Sequence, residues 1–182
     1  ASRKETVLLA ELNAGDQLAA VLDVHPTRGT MREVFSHLFL VDILPQAAMR
    51  EYALMRLKFR ALYRLVFENQ LVGPFLNAMP SLAELVMLGK LAYHAEQESE
   101  GQRRFSRIVI DAPATGHAIS LLSTPRIVLD AVSHGPLAEA VRLSHDALHD
   151  ANRTRVHLVS IPEELAVNET LELEADLRQR HF

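Results

Sequence analysis

The chain of 182 residues contains no cysteine. That absence excludes a disulfide scaffold, a Cys-ligated zinc, an iron–sulfur cluster and a thiol nucleophile within these residues, and it suits a reducing, cytoplasmic setting. Neither sign of charge dominates. Nineteen Lys and Arg against 23 Asp and Glu leave a formal net charge of −4, so the overall basicity of a nucleic-acid binder is missing. A locally basic stretch, Arg50, Arg56, Lys58, Arg60 and Arg64, has no aromatic platforms beside it. It reads as a solvated helix face, and no nucleic-acid partner is expected. Long apolar runs are lacking too. A bilayer span needs roughly 18–20 consecutive apolar residues, and the most apolar region, 71–93, is broken by Gly73, Pro74, Asn77, Pro80, Glu84 and Lys90.

What is present is the patterning of a soluble α/β protein. Residues 6–12 (TVLLAEL) form an apolar run that ends in Asn13-Ala14-Gly15, which predicts a buried strand and a turn. Asp16 stands where it could cap a short helix reaching Leu22. From 30 to about 100, apolar residues recur at spacings of three and four, and Pro45, Gly73-Pro74 and Pro80 divide the region, which predicts an inserted helical subdomain over 30–100. Ser81-Leu82-Ala83-Glu84 has the form of a capping box. A polar link precedes a second strand, 107–111 (RIVID), and helical patterns over 124–133 and 137–148 lead to a third strand at 155–161 and a final helix over 164–180. Three strands alternating with helices predict a parallel sheet with flanking helices, interrupted by the 30–100 insertion and continued by sheet and helices over 105–182.

The segment 108–117, IVIDAPATGH, holds the most chemistry. An apolar strand delivers Asp111 to its carboxyl edge, where ligands bind in open parallel sheets. A carboxylate there can hold the water shell of Mg2+. Pro113 fixes the turn, and Gly116 lets backbone N–H groups come close to a terminal phosphate. On the residues alone, a strand ending in Asp before a Gly turn suits many α/β proteins, nucleotide-binding or not.

The run Asp111-Ala-Pro-Ala-Thr-Gly-His117 resembles the switch II loop of the arsenite-pump and tail-anchored-protein-targeting ATPases, deviant-Walker P-loop enzymes of the anion-transporting class that work as dimers. Two further stretches are similar to that family: PEELAVNET at 162–170, and ENQLVGPF at 68–75 with LGKL at 88–91. The resemblance implies a P-loop NTPase-like fold, here partial, and a nucleotide-dependent switch using ATP and Mg2+. It places Asp111 near Mg2+ through water, and Pro113, Thr115, Gly116, His117 and Glu163 on the nucleotide side. It implies a homodimer, or a heterodimer with a related subunit. It also implies that the helical insertion meets a hydrophobic peptide or membrane-protein cargo; Met49, Met55, Phe75, Met79 and Met87 are the candidate surface, with ordinary core packing as the alternative.

The chain departs from the family pattern in two places. No G-x-x-x-x-G-K-[ST] occurs, and Gly89-Lys90 falls in a helical pattern with Leu91 after it. The chain is therefore expected to be one partial ATPase domain, an internal piece of a longer protein, that binds nucleotide poorly by itself. Where the family's switch I carries a water-positioning Asp, alignment places Asn13 as the candidate catalytic residue. An amide orients water but cannot take its proton, so Glu11 or Asp16 could serve instead, or Asn13 could simply be a turn residue. A non-catalytic family member that holds hydrophobic segments or serves as a dimer partner is the alternative function. Arsenite chemistry would need soft thiolates, which the chain lacks. His145 and His149, four apart beside Asp146 and Asp150, are a weak candidate metal pair.

Overall fold

The computed structural model describes residues 5–56, 80–99, 101–114, 116–132 and 134–182. The chain divides into two units, residues 1–112 and 113–182.

The first unit is built on a four-stranded sheet in the order β2-β3-β1-β6. Its strands are β1 (Val7–Leu12), β2 (Arg32–Phe35), β3 (Leu38–Ile43) and β6 (Arg107–Asp111). β1 lies between β3 and β6 and runs parallel to both, with Leu8 opposite Phe39 and Ile108, and Glu11 opposite Asp42 and Asp111. β2 pairs antiparallel with β3 through a two-residue turn in which His37 adopts φ 63°. Leu8, Ala10, Leu40, Val41 and Ile43 are buried in this central pair. Each side chain the size of Leu8 or Leu40 contributes about 1.5–3 kcal/mol when fully removed from water.

The strands β2 and β3 correct the expectation of helix from residue 30 onward. Residues 38–43 (LFLVDI) are apolar almost without interruption because a central strand of a mostly parallel sheet is covered on both faces. A run of that kind satisfies three-and-four spacing by coincidence. The helical region starts only at α2 (Pro45–Arg56) and resumes with α3 (Pro80–Glu96), which packs against it. The two helices are joined by an ion pair between Glu51 and Lys90. Gly89-Lys90 is thus helical, as expected, and the Lys90 ammonium is held by a carboxylate. A short helix α1 (Gln17–Val21) follows β1, and a small hairpin of β4 (Glu98–Ser99) and β5 (Gln102–Arg103) turns through Gly101 at φ 74°.

The second unit contains α4 (Gly116–Ala131), α5 (Pro136–His149) and α6 (Glu164–Gln179). α4 packs against both of the others, burying Leu121, Ala138, Val141 and Leu177. Pro125 lies inside α4 and is buried, where it removes one helical N–H. The strand expected at 155–161 is not formed. Those residues pair with no strand among the described residues, and Val159 is 93% exposed. An alternating apolar segment becomes a strand only when a neighbouring backbone takes up its N–H and C=O groups. With that exception, the chain is an α/β protein with a mostly parallel sheet flanked by helices, as a partial P-loop NTPase-like fold requires.

Candidate functional site

Register brings three carboxylates into one row across the carboxyl edge of the sheet: Asp42 on β3, Glu11 on β1 and Asp111 on β6. In-register residues of neighbouring parallel strands project to the same face of the sheet. Burial divides the row, because Glu11 is 0% and Asp42 1% exposed while Asp111 is exposed. Asp111 ends its strand with a carboxylate that has no hydrogen-bond partner among the described residues.

The loop after β1 is folded around Asp42. Asp42 Oδ1 accepts the N–H of Ala14 (3.1 Å), and Oδ2 accepts those of Gly15 (2.9 Å) and Asp16 (3.1 Å). Three successive N–H groups can converge in this way because Asn13, Gly15 and Asp16 have φ of 53°, 75° and 60°. Such backbone makes a concave nest for an anion, and Asn, Gly and Asp are the residues that tolerate it. The Asn13 N–H is held by the Ile43 carbonyl (3.1 Å), and the residue is exposed. It is thus a turn residue by backbone, with its side chain at the surface.

Asp16 stands at the N-cap of α1 but does not cap it. Its carboxylate accepts the Thr27 N–H (2.7 Å), the Thr27 hydroxyl (2.5 Å) and the Arg28 N–H (2.9 Å). Burial alone would raise the Asp16 pKa, but the bonds from Thr27 and Arg28 outweigh it and hold the carboxyl below its usual range. Thr27 Oγ1 also accepts the Asp42 N–H (2.9 Å), which ties β3 to the same loop. Glu11 Oε2 accepts the Leu18 N–H (3.1 Å). Its Oε1 is buried with no partner. Burial pushes the Glu11 carboxyl up; the Leu18 bond opposes this, and the charges of Asp42 and Asp16 push it further. Of the three residues weighed for positioning a water, Glu11 is sealed and Asp16 is engaged, so Asn13 is the one at the surface.

The other expected site residues fall as follows. Gly116 and His117 open α4, and His117 is exposed. Pro113 is half-buried in the loop before it, and Thr115 lies outside the described residues. Glu163 is the exposed N-cap residue of α6, with an extended backbone and no side-chain capping bond. Met49 is half-buried on α2. Met87 is 7% exposed among Leu85, Leu88 and Leu91, so it belongs to the core and presents no surface to a cargo. Phe75 and Met79, and the Met55 side chain, lie outside the described residues. His145 and His149 stack at 4.2 Å between ring centres, and His149 Nδ1 lies 2.9 Å from the His145 carbonyl oxygen. No third ligand converges on that pair among the described residues.

Asp42 was missed because its strand was read as helix. The available signal was a second apolar run ending in Asp, LFLVD, matching RIVID at 107–111. Parallel strands whose acidic tips line one edge of a mostly parallel sheet, with helices around it, fit a partial P-loop NTPase-like α/β protein. The family model of the anion-transporting ATPases matches residues 1–135, and the chain belongs to that family. It is 27% identical over 181 residues to ATPase BagA of Mycobacterium tuberculosis. It has the same identity to the Mycobacterium bovis protein named "Putative ATPase Mb3704". Each alignment covers 95% of this chain and 52% of the relative, so the chain spans about half the length of the curated relatives it matches.

Proposed function

We propose that the protein is an ATP-binding and ATP-hydrolysing dimeric switch, in which this chain supplies the carboxylate that organises Mg2+ and the loop that responds to the terminal phosphate. The observation that carries this function is Asp111: an exposed acid with free lone pairs, at the carboxyl tip of a parallel strand, in a family of ATPases. A hard, exposed carboxylate oxygen suits a Mg2+ that keeps most of its water shell. When bound, Mg2+ would offset the negative charge that develops on the phosphate oxygens.

The chain's own residues orient and sense. Asp111 accepts hydrogen bonds from metal-bound water. Gly116 has open space where a Cβ would stand, and it opens α4, where the first N–H groups of a helix have no intrahelical partner and suit a phosphate oxygen. Asn13 orients the attacking water with its amide while the nest around Asp42 fixes the loop that carries it. No G-x-x-x-x-G-K-[ST] cradle occurs among these 182 residues, so the roles proposed here are those of the metal-organising and phosphate-sensing residues. Closure of two subunits on ATP and their release on hydrolysis transmit nucleotide state to the helical insertion, which engages a hydrophobic segment or a membrane partner.

The test is Asp111→Ala in the intact protein, assayed for Mg2+-dependent ATP hydrolysis. Activity should fall to background, and near wild-type turnover would overturn the assignment. One observation favours a second reading, a non-catalytic member that binds hydrophobic segments: the exposed residue at the water-positioning place is an amide. Under that reading the intact protein binds labelled ATP without turning it over.

A further inference from the structure

Glu11, Asp16 and Asp42 each offer an oxygen to a cluster whose atoms all lie within 4.8 Å of one another. Each carboxylate has about four lone-pair positions. Asp42 uses three of them on the loop N–H groups, Asp16 uses three on Thr27 and Arg28, and Glu11 uses one on Leu18. The remaining acceptor capacity faces other acceptors. Among the described residues no lysine or arginine forms an ion pair with any of the three acids, although the Arg28 charge acts on Asp16 from the surface. Glu11 Oε1 is the sharpest sign of something absent, because it belongs to a fully buried side chain and has no donor. An orphaned buried carboxylate oxygen is costly in a folded protein.

From this convergence the geometry points to a cation site formed by Glu11, Asp16 and Asp42, selective for a divalent ion of calcium's size, that clamps the 13–16 loop to β1 and β3. A buried water could donate hydrogen bonds to Glu11 but brings no positive charge to a cluster of three carboxyl groups. Calcium is favoured over magnesium on two grounds. Ca–O distances of about 2.3–2.6 Å let opposite ligands stand about 4.6–5.2 Å apart, which covers the cluster, and calcium accepts protein oxygens in irregular geometry. Magnesium retains several waters, and Glu11 and Asp42 are sealed from solvent. Asp16 is half-buried and supplies the approach from the surface. The clamped loop carries Asn13, so the ion would order the residue assigned to the attacking water. The site is independent of Asp111, whose carboxylate does not join the cluster.

The full-length protein, stripped with chelator and free of nucleotide, is titrated with CaCl2 by calorimetry while its thermal midpoint is followed. One ion should bind and the midpoint should rise, with MgCl2 giving a smaller rise. Glu11→Gln should weaken Ca2+ binding at least tenfold and remove the thermal shift, and Asp16→Asn should weaken it as well, which covers the case of one variant failing to fold. Asp111→Asn should leave Ca2+ affinity unchanged, so a failure here is distinct from a failure of the ATPase assignment. The inference is overturned if the wild type shows neither binding nor shift, if Glu11→Gln and Asp16→Asn bind Ca2+ as the wild type does, or if Asp111→Asn abolishes the binding.

Discussion

Glu11 and Asp111 sit opposite one another in the parallel ladder of β1 and β6, yet the first is sealed from solvent and the second is exposed. One strand step across the sheet therefore separates two kinds of acid. The buried one is held among Leu18, Asp16 and Asp42, and serves the shape of the loop. The exposed one is free to meet a solvated ion. Like charges placed side by side across strands are destabilising, and the open position of Asp111 lets water screen it.

Asn13→Asp tests whether the exposed amide limits turnover. Asp tolerates the left-handed backbone found at this position about as well as Asn. A carboxylate can accept the proton of the attacking water, and general bases contribute roughly 10²–10⁴-fold. Steady-state hydrolysis by the intact protein should rise at least tenfold. An unchanged rate would assign Asn13 to the turn alone.

Asp42→Asn tests the nest. The amide keeps one acceptor oxygen and turns an N–H₂ toward the three loop N–H groups that Asp42 now accepts. Thermal or denaturant unfolding should show a loss of about 1.5–3 kcal/mol, the range for hydrogen bonds to a charged group. Amide exchange at Ala14, Gly15 and Asp16 should accelerate more than in the core of β1.

His94 gives a pH dependence with a definite sign. Burial, then the Lys90 charge, lower its pKa from 6.5 to about 4, against the opposing Gln97 hydrogen bond and Glu51 charge. Its Nε2 has no partner, and its ring meets Phe105 edge-on. The unfolded chain takes up the proton first, so stability is full above about pH 6.5 and falls as pH drops toward 4. The loss across that window is at most about 3.4 kcal/mol, at 1.36 kcal/mol per unit. His94→Phe should flatten the difference in unfolding free energy between pH 7 and pH 4.5. An equal slope in both proteins would assign the dependence to other groups.

The legible parts of the fold were those with local signatures. β1 and β6 are short apolar runs closed by a turn or an acid, and the 111–117 motif identified the family because its residues are contiguous. β3 was hidden because Leu38, Val41 and their neighbours fit a helical spacing as well as a covered strand, and Asp42 was lost with it. The role of Asp16 depends on a left-handed backbone that turns its carboxylate away from α1 and toward Thr27, eleven residues on. No local pattern encodes that. At 155–161 the sequence has the composition of a strand, but strand formation is decided by a neighbour, which composition does not specify.

The central claim is that Asp111 and the loop after it attend to a metal-bound triphosphate. The most direct measurement is a crystal structure of the intact protein with Mg2+ and a non-hydrolysable ATP analogue. Asp111 should lie one water away from Mg2+, with the Gly116 N–H directed at the terminal phosphate. A nucleotide bound at another edge of the sheet, with Asp111 facing bulk solvent, would contradict the account.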